Sequence, residues 1–392
     1  MLTIIHDNPV WIEGDQVAVD RKFLDGMARF SELVEVPITS THPLRADRSV
    51  IDSVEVQLND LPFRLVGLPT DRRGVYTPEA LSGLERIVSS SVLVAGSCMG
   101  GGLRLARRHG RPYIMTVEYD LGTQCTVASI GVGSRTRGWI RRVRAILDYC
   151  LRQVPDMRAA AEVHCNGFPM FDAARRWNER CLLYLDSRMG ESMVIGDEAL
   201  ACRLAEIGKR RPRLIYSGRY EAMKGALDFV KTAIDCRRLG MDADFICHGQ
   251  GRQVVAMREA VAAAGMGDRV LVGDSLPYPE LVKLTKSCDA FVACHVQADP
   301  SCSYLEAMGC GLPVFGYANR MARRICGEAH CGAVSPIGAH GLLARQIVEA
   351  FAVPERLASW ARTARKYALD HCFEKEFAKR AAAVRRQYDL AL

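Results

Sequence analysis

Short runs of apolar, β-branched residues alternate with longer stretches of helical spacing along nearly the whole chain. Leu2–Ile5, Val92–Ala95, Tyr113–Val117, Glu162–His164 and Leu182–Leu185 read as one series of strands. Leu214–Tyr216, Phe245–Cys247, Val270–Val272, Phe291–Ala293 and Val314–Phe315 read as a second. Between them apolar residues recur at i, i+3 and i+4, as Phe229, Ile234 and their alanine neighbours do in Ala226–Leu239, the period of a helix with one buried face. Strands alternating with helices build parallel sheets covered on both faces. The polar stretch Ile207-Gly208-Lys209-Arg210-Arg211-Pro212-Arg213 has the character of a linker. The pattern predicts an α/β protein of two doubly wound, Rossmann-like domains, with ligand in a cleft at the carboxyl ends of the strands.

Composition narrows the class. At about 100–200 residues per domain, 392 residues fit two domains. With 49% hydrophobic and 25% charged residues, the chain is neither collagen-like nor disordered. No apolar run approaches the ~18 residues of a spanning helix. Met1-Leu2-Thr3-Ile4-Ile5-His6-Asp7 has no basic stretch before its apolar residues, so it reads as a first strand and not as a signal peptide. The 15 cysteines are dispersed without a Cys-x-x-Cys pair, the usage of reduced thiols in a cytosol. The net charge is 52 − 45 = +7. Residues 101–158 alone hold 11 Arg, no Lys and four acids, also +7. An excess so local points to one anionic partner surface.

Three segments of the second series carry chemistry. Gly218-Arg219-Tyr220-Glu221-Ala222-Met223-Lys224-Gly225 follows a strand and opens a helix. Glycine allows close backbone approach, a helix N-terminus favours an anion, and Arg219 and Lys224 add two full charges. A diphosphate suits this arrangement, and so does a solvated helix start. Cys247-His248-Gly249-Gln250-Gly251 is a second glycine-rich turn at a strand end, which suits a ligand loop or simply a tight turn. In His295 to Val314 a strand yields to a loop, then to a helix from near Ser301 that Gly309–Pro313 stops. Glu306 falls about one and a half turns into that helix. Its carboxylate suits two adjacent ribose hydroxyls, while first-turn amides at Ser301, Cys302 and Ser303 suit a phosphate. The alternative for Glu306 is a pair with a neighbouring cation.

These segments, in this order, resemble the nucleotide-sugar domain of retaining GT-B glycosyltransferases, the group 1 (family 4-like) type. Leu305-Glu306-Ala307-Met308-Gly309-Cys310-Gly311-Leu312-Pro313-Val314 is similar to the family's Leu-Glu-Ala-Met-x-Cys-Gly-x-Pro-Val stretch, and Gly218-Arg219 with Lys224-Gly225 to its diphosphate segment. The resemblance is clear from about Leu214 to Tyr317. It implies residues 1–207 as an acceptor-side domain, 208–365 as a nucleotide-sugar domain, and 366–392 as a helical segment returning to the first. It implies Arg219, Lys224 and Glu118 as catalytic residues. Gly14, Gly218, Gly249, Gly251, Asp299, Ser301, Cys302, Ser303 and Glu306 would bind the donor.

The chain departs from the family at three places. A first Glu, eight residues before Glu306, is replaced by Ala298; either Asp299 takes over with a one-residue offset or the sugar contact is lost. Where members carry a His after an N-domain strand, Thr116-Val117-Glu118-Tyr119-Asp120 presents Glu118. The family's N-terminal Gly-Gly loop is here Glu13-Gly14-Asp15. The nucleotide half of the site is kept and the sugar half altered.

The basic stretch Ser134–Leu147 is amphipathic, with Trp139, Val143, Ile146, Leu147 and Cys150 on one stripe and Arg141, Arg142 and Arg144 mostly off it. Either the stripe enters a core, or the surface meets anionic lipid or a lipid diphosphate. The resemblance thus implies a cytoplasmic hexosyltransferase, with a peripheral place on the inner membrane face as a further expectation. Its donor is a nucleotide sugar and its acceptor a glycan or lipid-diphosphate-linked glycan. Neither a cofactor nor a metal is called for, since the two basic side chains Arg219 and Lys224 suit the diphosphate without one. The rivals are an epimerase or hydrolase on this fold and a noncatalytic nucleotide-sugar-binding subunit. Nucleic acid is disfavoured because aromatics beyond Trp139 are missing from the basic block.

Overall fold

The computed structural model describes all residues except 46–52, 72–74, 98–100, 299 and 301. It divides into two compact units. The first comprises Met1–Asp120, Ile146–Tyr184 and Lys375–Leu392; the second comprises Leu121–Ala145 and Leu185–Glu374.

The first unit is built on a seven-stranded, wholly parallel sheet. Its order is Cys181–Tyr184, Glu162–Asn166, Tyr113–Val117, Leu93–Ser97, Leu2–Ile5, Ile38–Pro43 and Arg64–Leu68. Strand Leu2–Ile5 is buried throughout, as a strand covered on both faces must be. A separate antiparallel sheet joins Trp11–Glu13, Gln16–Asp20 and Ser53–Gln57. Gly14 lies in the two-residue turn of its hairpin, between paired Glu13 and Gln16, with φ of +58°. The stretch expected as the counterpart of the family's Gly-Gly loop is thus a hairpin turn, where a positive φ favours glycine. The helix Phe373–Ala391 brings Ala381, Val384 and Tyr388 into this unit's core beside Leu2, Met27 and Phe30. Arg386 and Gln387 hold Glu162 Oε2 at 2.8 and 2.9 Å.

The second unit holds a six-stranded parallel sheet in the order Val270–Gly273, Asp244–His248, Arg213–Ser217, Ala290–Ala293, Val314–Tyr317 and Gly332–Ser335. In chain order that is 3-2-1-4-5-6, so the winding reverses between Arg213–Ser217 and Ala290–Ala293. Ligands bind at such a reversal, outside the carboxyl ends of the strands.

The boundary expected at Ile207 lies inside the second unit. Residues 185–207 pack there because Ile195 and Leu200 bury against Ala361, and Arg203 donates to the carbonyls of Lys286 and Cys310 at 3.0 and 2.8 Å. The supposed linker is tied down as well, since Arg210 forks onto Asp289 at 2.7 and 2.9 Å. At the other end the helix Pro354–Asp370 stays with the second unit, and the chain changes unit at Lys375 rather than at 366. Among the described residues no helix is long and apolar enough to cross a membrane.

Candidate functional site at the sheet reversal

Two loops leave the strands that flank the reversal, and the main chain locks them together. The turn after Ser217 runs through Gly218 and a short 3-10 turn, Ala222–Lys224, to Gly225. Val296 N–H donates to Met223 O at 3.0 Å, which joins this turn to the loop after Ala293. On its other side the Tyr220 N–H donates to Gln250 O at 2.8 Å, and Gln253 N–H to Tyr220 O at 2.9 Å. A Cβ at Gly249 would stand 1.9 Å from Gly218 O, and one at Gly251 2.5 Å from Tyr220 O. These glycines serve first to let one loop lie on the other.

The two basic side chains of the turn differ in setting. Arg219 is exposed, while Lys224 is only 7% exposed. A buried ammonium is costly unless negative charge or well-placed acceptors meet it. Lys224 lies on the turn that follows the central strand Arg213–Ser217. Beside it, the His295 ring is fully enclosed. Burial first, and the Lys224 charge second, lower its pKa well below the usual value, so the imidazole is neutral.

The helix Cys302–Gly309 carries the third element. Cys302 and Ser303 open it, and the Cys302 thiol donates to Asp186 Oδ2 at 3.6 Å. Glu306 is mostly buried and accepts from Arg188 Nε at 3.2 Å. The cation-paired alternative for Glu306 is thus realised, and one oxygen of the carboxylate is engaged. Arg188 stacks 4.0 Å above the Tyr278 ring. Burial disfavours its charge, but Glu306 outweighs that and raises its pKa. Burial, then the Glu306 charge, pushes the Tyr278 hydroxyl up. Asp299 and Ser301 lie outside the described residues.

The structure therefore gathers Gly218, Arg219, Lys224, Gly249, Gly251, Cys302, Ser303 and Glu306 in the second unit. Glu118 belongs to the first, exposed just past the strand Tyr113–Val117, with Asn166 Nδ2 at 3.4 Å from its Oε1. Sequence reasoning missed Arg188, Tyr278, His295 and Gln297. Arg188 lies 118 residues from its partner, and no local pattern announces such a pair. His295 and Gln297 did carry a signal: two polar residues directly after a fully apolar strand, where burial was to be expected.

Comparison with known proteins shows what part of the chain is similar to. Residues 204–367 match the model of the glycosyl transferases group 1. A 2-deoxystreptamine N-acetyl-D-glucosaminyltransferase of Streptomyces fradiae is 34% identical over 148 residues, 37% of this chain and 35% of its own. A 2-deoxystreptamine glucosyltransferase of Streptomyces kanamyceticus is 31% identical over 106 residues, 27% of each chain. The matches thus span about a third or less of these curated relatives. The crystal structure of Anabaena Alr3699/HepE in complex with UDP superposes with a TM-score of 0.66 at 12% identity, covering 98% of both chains. At that identity the likeness concerns the fold, which is the two-domain GT-B fold.

Proposed function

We propose, from the premise that residues 204–367 form a group 1 glycosyltransferase domain, that this protein moves a hexose from a nucleoside-diphosphate sugar to a glycan or lipid-linked acceptor, with retention. The observation that carries the reading is Lys224, buried at the reversal point on a turn that glycines hold against the neighbouring strand's loop. In this reading Arg219 and Lys224 meet the diphosphate, and the first amides of the helix Cys302–Gly309 face it. Glu306 takes the ribose through the oxygen that Arg188 leaves.

Departure of the nucleotide develops charge on the diphosphate while the sugar becomes oxocarbenium-like. Preorganised positive groups lower that barrier without reorganising at the moment of reaction. Two basic side chains and helix amides supply the charge, so the reading calls for no metal ion. No side chain is assigned as nucleophile. Glu118 stands as the acceptor-side carboxylate of the proposal.

The lipid-linked form of the acceptor is supported by the helix Arg135–Asp148. Among its residues only Gly138 is buried, and Trp139, Ile140 and Leu147 are 65%, 54% and 52% exposed. The stripe thus stays out of the core, in company with arginines, as a helix lying on an anionic membrane would have it. A second reading, an aminocyclitol acceptor, is favoured by the names of the two Streptomyces relatives. A thermal-shift screen across UDP-, GDP- and ADP-sugars tests the donor. One nucleotide class should raise the melting temperature. No shift with any of them would remove the proposal.

A further inference from the structure

The loop after strand Ala290–Ala293 holds two side chains that are buried yet bonded to nothing. His295 and Gln297 are each 1% exposed. Both ring nitrogens of His295 and both amide atoms of Gln297 have no hydrogen-bond partner. Their backbone, in contrast, is fixed. Asn319 Nδ2 donates to His295 O at 2.9 Å, and the N–H groups of Val296 and Gln297 both point at Met223 O, at 3.0 and 3.4 Å. Tyr304 and Tyr216 meet the imidazole edge-on, with centroids 5.3 and 6.5 Å away.

Four unmet polar atoms within three residues are a standing cost, since a buried donor or acceptor without a partner forfeits its whole hydration. Apolar residues of similar shape would remove that cost. A use for the atoms when a ligand is present explains why the fold carries it. Position identifies the ligand chemistry. The pair sits on the loop that the turn of Lys224 grips, and the Lys224 charge acts on the His295 ring. Resting on the proposed diphosphate site at Lys224, the next group along a donor is its hexosyl ring. A neutral imidazole and a primary amide each both donate and accept, which is what sugar hydroxyls require and a bare charge does not provide.

We infer that His295 and Gln297 form the subsite that recognises the hydroxyls of the transferred sugar, and so set which sugar is accepted. Specificity of this kind is steep, because a donor without the matching hydroxyl leaves the buried groups unpaired.

The test compares wild type with Gln297→Met and His295→Phe by calorimetry with UDP, UDP-glucose and UDP-N-acetylglucosamine, and by melting without ligand. The free variants should melt at or above the wild-type temperature. Their affinity for the preferred UDP-sugar should fall at least tenfold, while that for UDP stays within twofold. A free variant that melts lower or fails to fold overturns the inference, because unpaired groups have no bonds to lose. Equal losses for UDP and UDP-sugar overturn it too, as does a wild type that binds the UDP-sugars no better than UDP. A wild type that binds none of the three, nor the GDP and ADP counterparts, overturns the donor-site reading as well, a result distinct from the others.

Discussion

Gly225 lies so close to Cys294 that a Cβ at Gly225 would stand 1.8 Å from the Cys294 carbonyl oxygen. The two residues belong to the two loops at the sheet reversal, so this one contact sets how near Lys224 comes to the neighbouring strand. Gly225 also has φ of +62° and begins the helix Ala226–Arg238. Alanine there meets both a left-handed backbone and a carbonyl that cannot yield. Gly225→Ala should lose roughly 2–4 kcal/mol in denaturant unfolding and weaken nucleotide binding with it. Wild-type stability would contradict the close approach.

Glu306 and Arg188 give the second prediction. With the ribose contact proposed for Glu306, Glu306→Gln should weaken the nucleoside diphosphate and the sugar nucleotide found by thermal shift alike, by about 10–100-fold, the range of a hydrogen bond to a charged group. Calorimetry with both ligands reads this directly. A loss confined to the sugar-bearing ligand would move Glu306 away from the ribose.

Acid should destabilise the first unit through its histidines. Burial, partly opposed by the Asn8 carbonyl, lowers His42 to about 4. Burial, then Arg380 and Arg386, lowers His164 to about 3. Unfolded, both titrate near ~6.5. Below that value the unfolded chain binds protons that the folded chain refuses. Stability is therefore complete above pH ~6.5 and falls as pH drops toward 4. Denaturant midpoints across this window should fall with pH, and His164→Leu should flatten the slope. An unchanged slope in that variant would show that His164 does not contribute.

The exposed helix Arg135–Asp148 should matter only if a surface meets it. Changing Arg137, Arg141, Arg142 and Arg144 together to Gln should abolish co-sedimentation with anionic vesicles at moderate salt, since each basic residue near such a surface contributes about 1 kcal/mol. Folding should be unaffected, because these arginines are exposed. Wild-type vesicle binding by the variant would leave the membrane reading without support.

All ten strands expected from apolar runs are present, most within one or two residues of their expected ends, because a parallel strand buried on both faces is written as a continuous apolar run. Ile38–Pro43 escaped notice for the opposite reason. Its Thr39, Ser40, Thr41 and His42 are polar yet almost wholly buried, with His42 bonded to Ser40 and to the Asn8 carbonyl. The hairpin carrying Gly14 pairs only three residues of Trp11–Glu13, too few for an alternation to be read. Long-range charge pairing hid how the stretch around Arg210 is held. Arg210 reads as linker until Asp289, 79 residues on, is seen to hold it. Amphipathicity of the basic helix was legible, but its exposure was not, since a stripe facing a core and one facing a surface have the same period. In the candidate site the turn of Arg219 and Lys224 and the helix of Glu306 were legible because each is a local motif at a strand end. Arg188 was not, because its partner lies 118 residues away, and the lack of hydrogen-bond partners at His295 and Gln297 shows only in the fold.

The central claim is that Lys224 and Arg219 stabilise a departing nucleoside diphosphate. The most direct test is the rate of nucleoside diphosphate release from the sugar nucleotide found by thermal shift, measured with acceptor for wild type, Lys224→Ala and Arg219→Ala. Each substitution should lower turnover by ~10²–10³-fold, the loss expected for one transition-state charge partner, with an unchanged far-ultraviolet circular dichroism spectrum. Wild-type rates in both variants would contradict the account.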